Sequence, residues 1–354
     1  MVSWIYIPIF ARELGVADTG IGIIVGLYAT ALFISSYIFG WAADIHGRKI
    51  FIVIGLLASM ITFLVQIFAN DYLSLLLIRI LVGFCVGIYP SALIAYVYES
   101  KEKMGKFTSF GSLGWFFGLM ISGFVAVYFT IRGIFILSSL LSLLGFLIAL
   151  TLSDVKNHML HIPFHPKNIF KKNSPLYLSI LIRHTGAYMI WTFWSLYLQG
   201  LGADLFWVAI IQSINSLTQF LVMYSVADRI KSNTLVRAGM ILSGITFFTF
   251  TLARNFWEII PTQFLLGTSW AFLYVGALRH LTDSNREKAT VSGMLESILS
   301  LSSVIGPFLA VAIVPFDSYR TIMYIASALS FISLVVFQVL GHTEKIFKSG
   351  PLRL

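Results

Sequence analysis

Long apolar stretches constrain this chain more than any other feature. A membrane-spanning helix needs about 20 mostly apolar residues. Of the 354 residues, 58% are hydrophobic and 11% are charged, against about 45–50% and about 25% in soluble domains. The sequence therefore predicts an all-α integral membrane protein with twelve spans. We place them at 2–11, 20–42, 50–68, 72–98, 107–130, 134–152, 176–198, 206–227, 234–252, 256–281, 290–316 and 321–341.

The basic residues are distributed unevenly between the loops. If each loop after an even-numbered span lies in the cytoplasm, most of the 24 Lys and Arg residues lie there. The loops on the opposite, non-cytoplasmic side contain only Arg12, Arg132, Arg254 and Arg320. Cytoplasmic loops of membrane proteins are enriched in Lys and Arg, so we expect a cytoplasmic C-terminus. The same bias accounts for the net charge of +9 without a nucleic-acid partner.

The first span is short. Residues 1–11 would form a helix of about 16 Å, against a hydrocarbon core of about 30 Å. Either this helix does not cross the membrane, or Met1 is not the native start. We favour an upstream extension of roughly ten to twenty residues, enough to complete a crossing. The segment has neither the basic start nor the small-residue cleavage site of a signal peptide.

An internal repeat predicts two six-helix bundles. Ala43-Asp44 and Ala227-Asp228 lie 184 residues apart, and Gly55 and Gly239 have the same spacing. Such a repeat predicts halves related by a pseudo-two-fold axis along the membrane normal. The predicted parts are a first bundle at 1–152, a cytoplasmic linker at 153–175, a second bundle at 176–341 and a cytoplasmic tail at 342–354.

The connection between the second and third spans carries the most specific motif. Gly40, Asp44, Gly47, Arg48 and Lys49 fit the pattern G-x-x-x-D-x-x-G-R-K/R. This segment resembles the loop signature of the major facilitator superfamily. The fourth span, with Arg79, Gly83, Gly87 and Pro90, resembles a second signature of that family, and the second half retains Asp228 and Arg229 of the loop motif.

The resemblance implies a carrier that works by alternating access, with spans one, four, seven and ten around a central cavity. It also implies that the loop motif is a conformational gate. In that gate Asp44 would lie near the start of the eleventh span, where a helix N-terminus favours an anion. Arg48 would lie near a carboxylate such as Glu99. The alternative is an ordinary basic cytoplasmic turn.

Three ionisable residues lie well inside spans: Arg79, Arg183 and Glu296. A charge in the bilayer core needs a partner or a water-filled cavity. Arg183 and Glu296 are predicted to lie at similar depth, so we expect them to pair. Either Glu296 carries a proton whose binding frees Arg183 for an anionic group, or the two form a static ion pair. Arg79 would lie in the groove left by Gly83 and Gly87, where it either takes part in proton antiport, as the resemblance implies, or is tied to neighbouring backbone carbonyls.

Polar and aromatic residues at helical spacing extend this candidate site. The seventh span has His184, Tyr188 and Trp191 on one face, followed by Ser195. The eighth span has a polar stripe, which we interpret as packing between the halves or as substrate contact. The stripe consists of Gln212, Asn215, Ser216 and Gln219, and the tenth span adds Gln263 and Trp270 at similar spacing.

Several chemistries are disfavoured. Cys85 is the only cysteine, so no intrachain disulfide or Cys-based zinc site is possible. His158, His161 and His165 lie among prolines in the linker and are expected to be solvated rather than metal-bound. No P-loop motif is present, and no nucleophile-elbow signature stands out. We expect neither cofactor nor metal.

Together these features predict a secondary active transporter in the cell membrane. Its partners would be membrane lipid, protons and a small-molecule substrate, either a small organic anion or a lipophilic drug, and no oligomer is required. The alternative is a membrane sensor or a multi-span membrane enzyme on the same scaffold. A sensor would need a long output segment, whereas few residues follow Gly341. An enzyme would need paired catalytic groups, and none stands out.

Overall fold

The fold is known from a computed structural model. It describes residues 3–99, 104–153, 167–225, 229–285, 288–314 and 318–349, and within these ranges all regular structure is helical. The helices are α1 (Ile7–Glu13), α2 (Asp18–His46), α3 (Arg48–Val65), α4 (Tyr72–Val86), α5 (Pro90–Glu99), α6 (Met104–Leu150), α7 (Lys167–Gly200), α8 (Leu205–Ser225), α9 (Ser232–Leu252), α10 (Ile260–Ser284), α11 (Lys288–Ile313) and α12 (Tyr319–Ser349). Short 3-10 turns occupy Trp4–Tyr6, Gln66–Phe68 and Phe256–Ile259.

The chain is a multi-span membrane protein. Within the described ranges, nine helices are long and apolar enough to cross a bilayer. One of them, Ser109–Leu150, covers 42 residues and includes the two predicted spans at 107–130 and 134–152. Thr130 has φ 64° there, and this non-helical residue divides α6. Neither the short α1 nor α7 is among the nine.

Two helices extend beyond the predicted spans. α7 begins at Lys167, inside the segment predicted as a linker. Its polar first turns are fixed by the end of α10, because Asn173 and Asn285 exchange side-chain hydrogen bonds at 3.2 and 3.0 Å and Lys172 donates to Asn285 at 2.9 Å. α12 continues to Ser349, into the predicted tail.

Equivalent glycines make equivalent contacts in the two halves. A Cβ on Gly55 would lie 2.9 Å from the backbone nitrogen of Tyr89, and one on Gly239 would lie 2.6 Å from that of Leu273. Likewise, a Cβ on Gly83 would overlap the carbonyl oxygen of Tyr28 on α2. In the second half a Cβ on Gly267 would lie 2.8 Å from the carbonyl oxygen of Asn215 on α8. The repeat in the sequence is therefore also a repeat in helix packing.

The first half, α1 to α6, and the second half, α7 to α12, meet along two helix pairs. α2 packs against α11, and the first part of α6 packs against α8. Both contacts are close, since a Cβ on Gly22 would overlap the Val311 side chain and one on Gly123 would lie 3.1 Å from the Ala209 Cβ. Within the halves, α2 packs on α4, and α7 packs on α11 and α12.

Candidate functional site

The halves are joined at the end where α2 begins and α11 ends, which we call the outer end. Arg12 and Asp18 form an ion pair there. The Tyr319 hydroxyl of α12 donates to Asp18 at 2.9 Å and accepts from Arg12 at 3.2 Å. About two turns deeper, a Cβ on Gly26 would lie 2.9 Å from the Phe308 ring of α11. The outer end is therefore closed by contacts between the two halves.

A small cavity, with room for about one water molecule, lies deeper between the halves, and we call it the central cavity. Both halves contribute to its wall, α2 and α4 from the first and α7 from the second. The wall is largely apolar and aromatic but contains one charged side chain. The residues lining it are Trp4, Ile5, Ile7, Pro8, Val25, Tyr28, Arg79, Trp191 and Ser195.

Arg79 is the charged residue of this wall. Its side chain is 3% exposed, and its guanidinium carbon lies 4.0 Å from the centre of the Tyr28 ring. One guanidinium nitrogen donates to Gln66 Oε1 at a long 3.4 Å, and Nε has no hydrogen-bond partner. The predicted groove beside Gly83 and Gly87 is filled by the α2 backbone, so Arg79 instead lies against the Tyr28 ring.

Arg183 is enclosed by its own half. Its Nε donates to Ser243 of α9 at 2.9 Å, and Nη1 lies 3.2 Å from His184 Nδ1. The guanidinium carbon lies 5.2 Å from the centre of the Phe247 ring and 5.7 Å from that of Trp270. Hydrogen-bond acceptors and aromatic faces, rather than a carboxylate, neighbour this charge.

The predicted ion pair between Arg183 and Glu296 is wrong. The Glu296 carboxylate instead accepts a hydrogen bond from the Tyr274 hydroxyl at 2.8 Å. The two residues were placed at similar depth, but depth leaves the rotation of each helix about its axis undetermined. The Glu296 side chain reaches Tyr274 on α10, whereas the Arg183 side chain reaches Ser243 on α9.

A run of stacked rings connects the surroundings of these two charges. His184 stacks on Trp270, with ring centres 4.9 Å apart, and Trp270 stacks on Tyr274 at 5.4 Å. His184 also meets the Tyr188 ring edge-on at 5.1 Å. Glu296 and Arg183 therefore contact opposite ends of one aromatic cluster instead of each other.

The comparisons with known proteins agree with this geometry. The profile of the Major Facilitator Superfamily matches residues 1–273 and 176–352. The chain belongs to the major facilitator superfamily. It is 24% identical over 351 residues to the multidrug resistance protein MdtG of Salmonella typhimurium, covering 91% of this chain and 86% of MdtG. MdtG of Escherichia fergusonii is 22% identical over 360 residues, covering 93% and 88%.

Solved structures share the fold. The nucleoside transporter NupG superimposes with a TM-score of 0.71 at 12% identity, covering 96% of this chain and 96% of NupG. The human organic anion transporter MFSD10 superimposes with a TM-score of 0.67 at 15% identity, covering 90% and 83%. These proteins and the superfamily itself are transporters rather than enzymes, so the alternative of a membrane enzyme is excluded.

The polar stripe of α8 lies in the interior of this superfamily fold, between α6 and α10. Gln219 donates to Asn215 at 3.0 Å, while Gln212 has a buried side-chain oxygen without a partner. On α10, Gln263 is fully buried and its side-chain oxygen is also unpartnered. The stripe therefore faces protein rather than lipid, as expected.

The predicted gate is described only in part. Gly47 joins α2 and α3 with φ 98°, a conformation that favours glycine. Arg48 and Lys49 are half-buried and Arg229 is exposed. The side chains of Asp44 and Glu99, the surroundings of Gly40, and all of Asp228 lie outside the described residues. Contacts of the gate carboxylates thus stay a prediction.

Three residues of this region were not predicted from the sequence. Tyr28 faces Arg79 from α2, Gln66 accepts from Arg79, and Ser243 accepts from Arg183. Gln66 interrupts the apolar run 61–68, and a buried amide in such a run signals a polar neighbour. Tyr28 and Ser243 carry no comparable signal, because neither residue type is unusual inside a membrane helix.

Proposed function

We propose that this chain is a proton-coupled secondary transporter that moves a small solute by alternating access. Its twelve spans would be α1, α2, α3, α4 with α5, the two parts of α6, and the six helices α7 to α12. The C-terminus would lie in the cytoplasm, as the positive-inside distribution of Lys and Arg favours. The substrate would be a small organic anion or a drug-like molecule.

The environment of Glu296 carries the proton coupling in this proposal. The carboxylate lies inside the helical bundle and has one neutral hydrogen-bond donor, Tyr274. It forms no ion pair with any residue that the structure describes. An unpaired carboxylate at membrane depth is costly and typical of proton-carrying sites in transporters. A proton on Glu296 would remove a charge that no described cation neutralises.

The contacts between the halves support alternating access. The outer end is closed by the ion pair of Arg12 with Asp18 and by the α2–α11 packing, and the central cavity lies deeper. Rocking of the halves would break these outer contacts and expose the cavity on that side. We propose that the loop motif around Asp44 and Arg48, together with Glu99 and Arg229, gates the other end.

The direction of transport in this proposal is export. The two relatives reported above are named multidrug resistance proteins, a name that fits removal of foreign compounds. A proton entering while a solute leaves would make the chain an antiporter.

The proposal is tested in proteoliposomes that enclose the pH-sensitive dye pyranine. A panel of anionic, neutral and cationic drug-like compounds is added under a pH gradient, and proton release from the lumen is followed. We expect Glu296→Gln to reduce compound-driven proton flux at least tenfold. Glu13→Gln, at an exposed carboxylate of the outer end, is the matched control and should retain the wild-type flux. Equal fluxes in the two variants would contradict the role of Glu296.

A further inference from the structure

The central cavity has polar groups that the protein itself leaves unsatisfied. Arg79 Nε, Gln66 Nε2 and Ser195 Oγ are buried and have no hydrogen-bond partner. Arg79 and Ser195 line the cavity and are 3% and 2% exposed. Buried polar side chains in folded proteins nearly always have partners. Unsatisfied groups around a cavity are therefore an indication of a polar ligand.

The positive charge of Arg79 in the cavity wall specifies the sign of the charge on that ligand. Arg79 makes no ion pair with any described carboxylate, and the Gln66 amide accepts from it at a long 3.4 Å. A buried guanidinium without a counter-ion is costly inside a membrane. Guanidinium groups bind carboxylates through two parallel hydrogen bonds. An anionic group would therefore satisfy the cavity better than a cationic or neutral one.

The remaining wall specifies the body of the ligand. Trp4, Tyr28 and Trp191 supply aromatic surface, and Val25 and Ile7 supply aliphatic surface. Such walls suit an apolar, flat group held next to one directional polar contact. Since Tyr28 and Arg79 belong to the first half and Trp191 and Ser195 to the second, one ligand would contact both halves.

We propose that the central cavity, when the halves rock apart and enlarge it, binds an amphipathic organic anion, with a carboxylate-type group at Arg79 and Ser195 and an aromatic body beside Trp191 and Tyr28. This inference rests on the proposed transport function and names its substrate class. It assigns ligand recognition to Arg79 rather than to Arg183, whose guanidinium is already held by Ser243, His184 and two aromatic rings.

The probes are three naphthalenes of nearly equal size: 2-naphthoate, neutral 2-naphthamide and cationic 2-naphthylmethylammonium. Their binding to the purified full chain in detergent is measured by equilibrium dialysis at fixed pH without a gradient. We expect 2-naphthoate to bind at least tenfold more tightly than either analogue. Equal affinities, or no binding of 2-naphthoate, would overturn the proposal without reference to any variant.

Two matched arginine variants locate the site. Arg79→Gln should abolish the preference for 2-naphthoate over 2-naphthamide, while Arg183→Gln should leave that preference within threefold of wild type. Melting curves of both variants establish that they are folded, and Ser195→Ala is the milder substitution, expected to reduce the preference two- to fivefold. An anion preference that survives both Arg79→Gln and Ser195→Ala would place the anion elsewhere and contradict the assignment.

The binding and flux measurements distinguish a failure of this inference from a failure of the proposed function. Binding of 2-naphthoate without any compound-driven proton flux would contradict transport and leave the anion site standing. Flux that depends on Glu296 but shows no preference for the anionic compounds would contradict the anion site and leave transport standing.

Discussion

Arg79 and Arg183, the two arginines buried in the described part of the chain, differ in their partners. Arg79 and Arg183 are similarly buried, at 3% and 2% exposure, and both lie inside helices of the bundle. Arg183 is bonded to Ser243 and His184 within its own half. Arg79 lines a cavity between the halves and keeps an unpartnered nitrogen. Burial alone therefore does not separate the two arginines, whereas unsatisfied hydrogen-bonding capacity beside a cavity does.

The largest expected loss of stability follows substitution of Arg183, and substitution of Arg79 should cost less. Arg183→Gln loses the hydrogen bonds to Ser243 and His184 and two cation–π contacts, which together cost about 3 kcal/mol. Arg79→Gln loses one long hydrogen bond and the Tyr28 contact, and should cost about 1 kcal/mol. Melting curves of the purified variants in one detergent give the comparison. A larger loss for Arg79→Gln than for Arg183→Gln would reverse the assignment of structural and binding roles.

A smaller loss of stability is expected from a substitution at the contact between α4 and α2, one turn along α4 from Arg79. Gly83→Ala places a Cβ against the Tyr28 carbonyl oxygen, and such overpacking costs about 1–3 kcal/mol. Because Tyr28 must shift, the affinity for 2-naphthoate should fall severalfold although residue 83 does not line the cavity. Dialysis and melting curves measure both effects.

The matched control for that substitution is Gly114→Ala. Residue 114 is exposed, and a Cβ there would have nothing within 4 Å. Alanine is favoured over glycine in helices by about 1 kcal/mol, so this variant should be as stable as wild type or slightly more so, with unchanged binding. If both alanine variants behave alike, close packing of α4 on α2 does not position Tyr28.

The helices were largely predictable from the sequence because a bilayer imposes one length and one composition on every span. The predicted spans 206–227 and 234–252 match α8, Leu205–Ser225, and α9, Ser232–Leu252. The spacing Gly22-x-x-x-Gly26 is typical of close helix packing, and both glycines contact α11. The same spacing at Gly114-x-x-x-Gly118 has a different outcome at Gly114, where a Cβ would face open space.

The side-chain contacts were less predictable, because they depend on helix rotation and on distant partners. Arg183 and Glu296 were placed correctly inside their helices, yet each contacts a different neighbour. Arg79 was identified from its position in a signature motif, but its contact with Tyr28 depends on how α2 crosses α4. The helical start of α7 was read as linker because its stabilising partner, Asn285, lies 112 residues away.

The most direct test of the account measures whether the halves move oppositely at the two ends. Spin labels are placed in a Cys85→Ser background at the exposed pairs Phe68 with Trp257, at the outer end, and Ile50 with Asn233, at the opposite end. Distances are recorded in lipid nanodiscs at high and low pH with saturating 2-naphthoate. The account predicts that, from one pH to the other, the distance in the outer pair lengthens while the distance in the opposite pair shortens. It also predicts that Glu296→Gln removes this dependence on pH. Distances that stay fixed at both ends, or that change in the same direction, would contradict it.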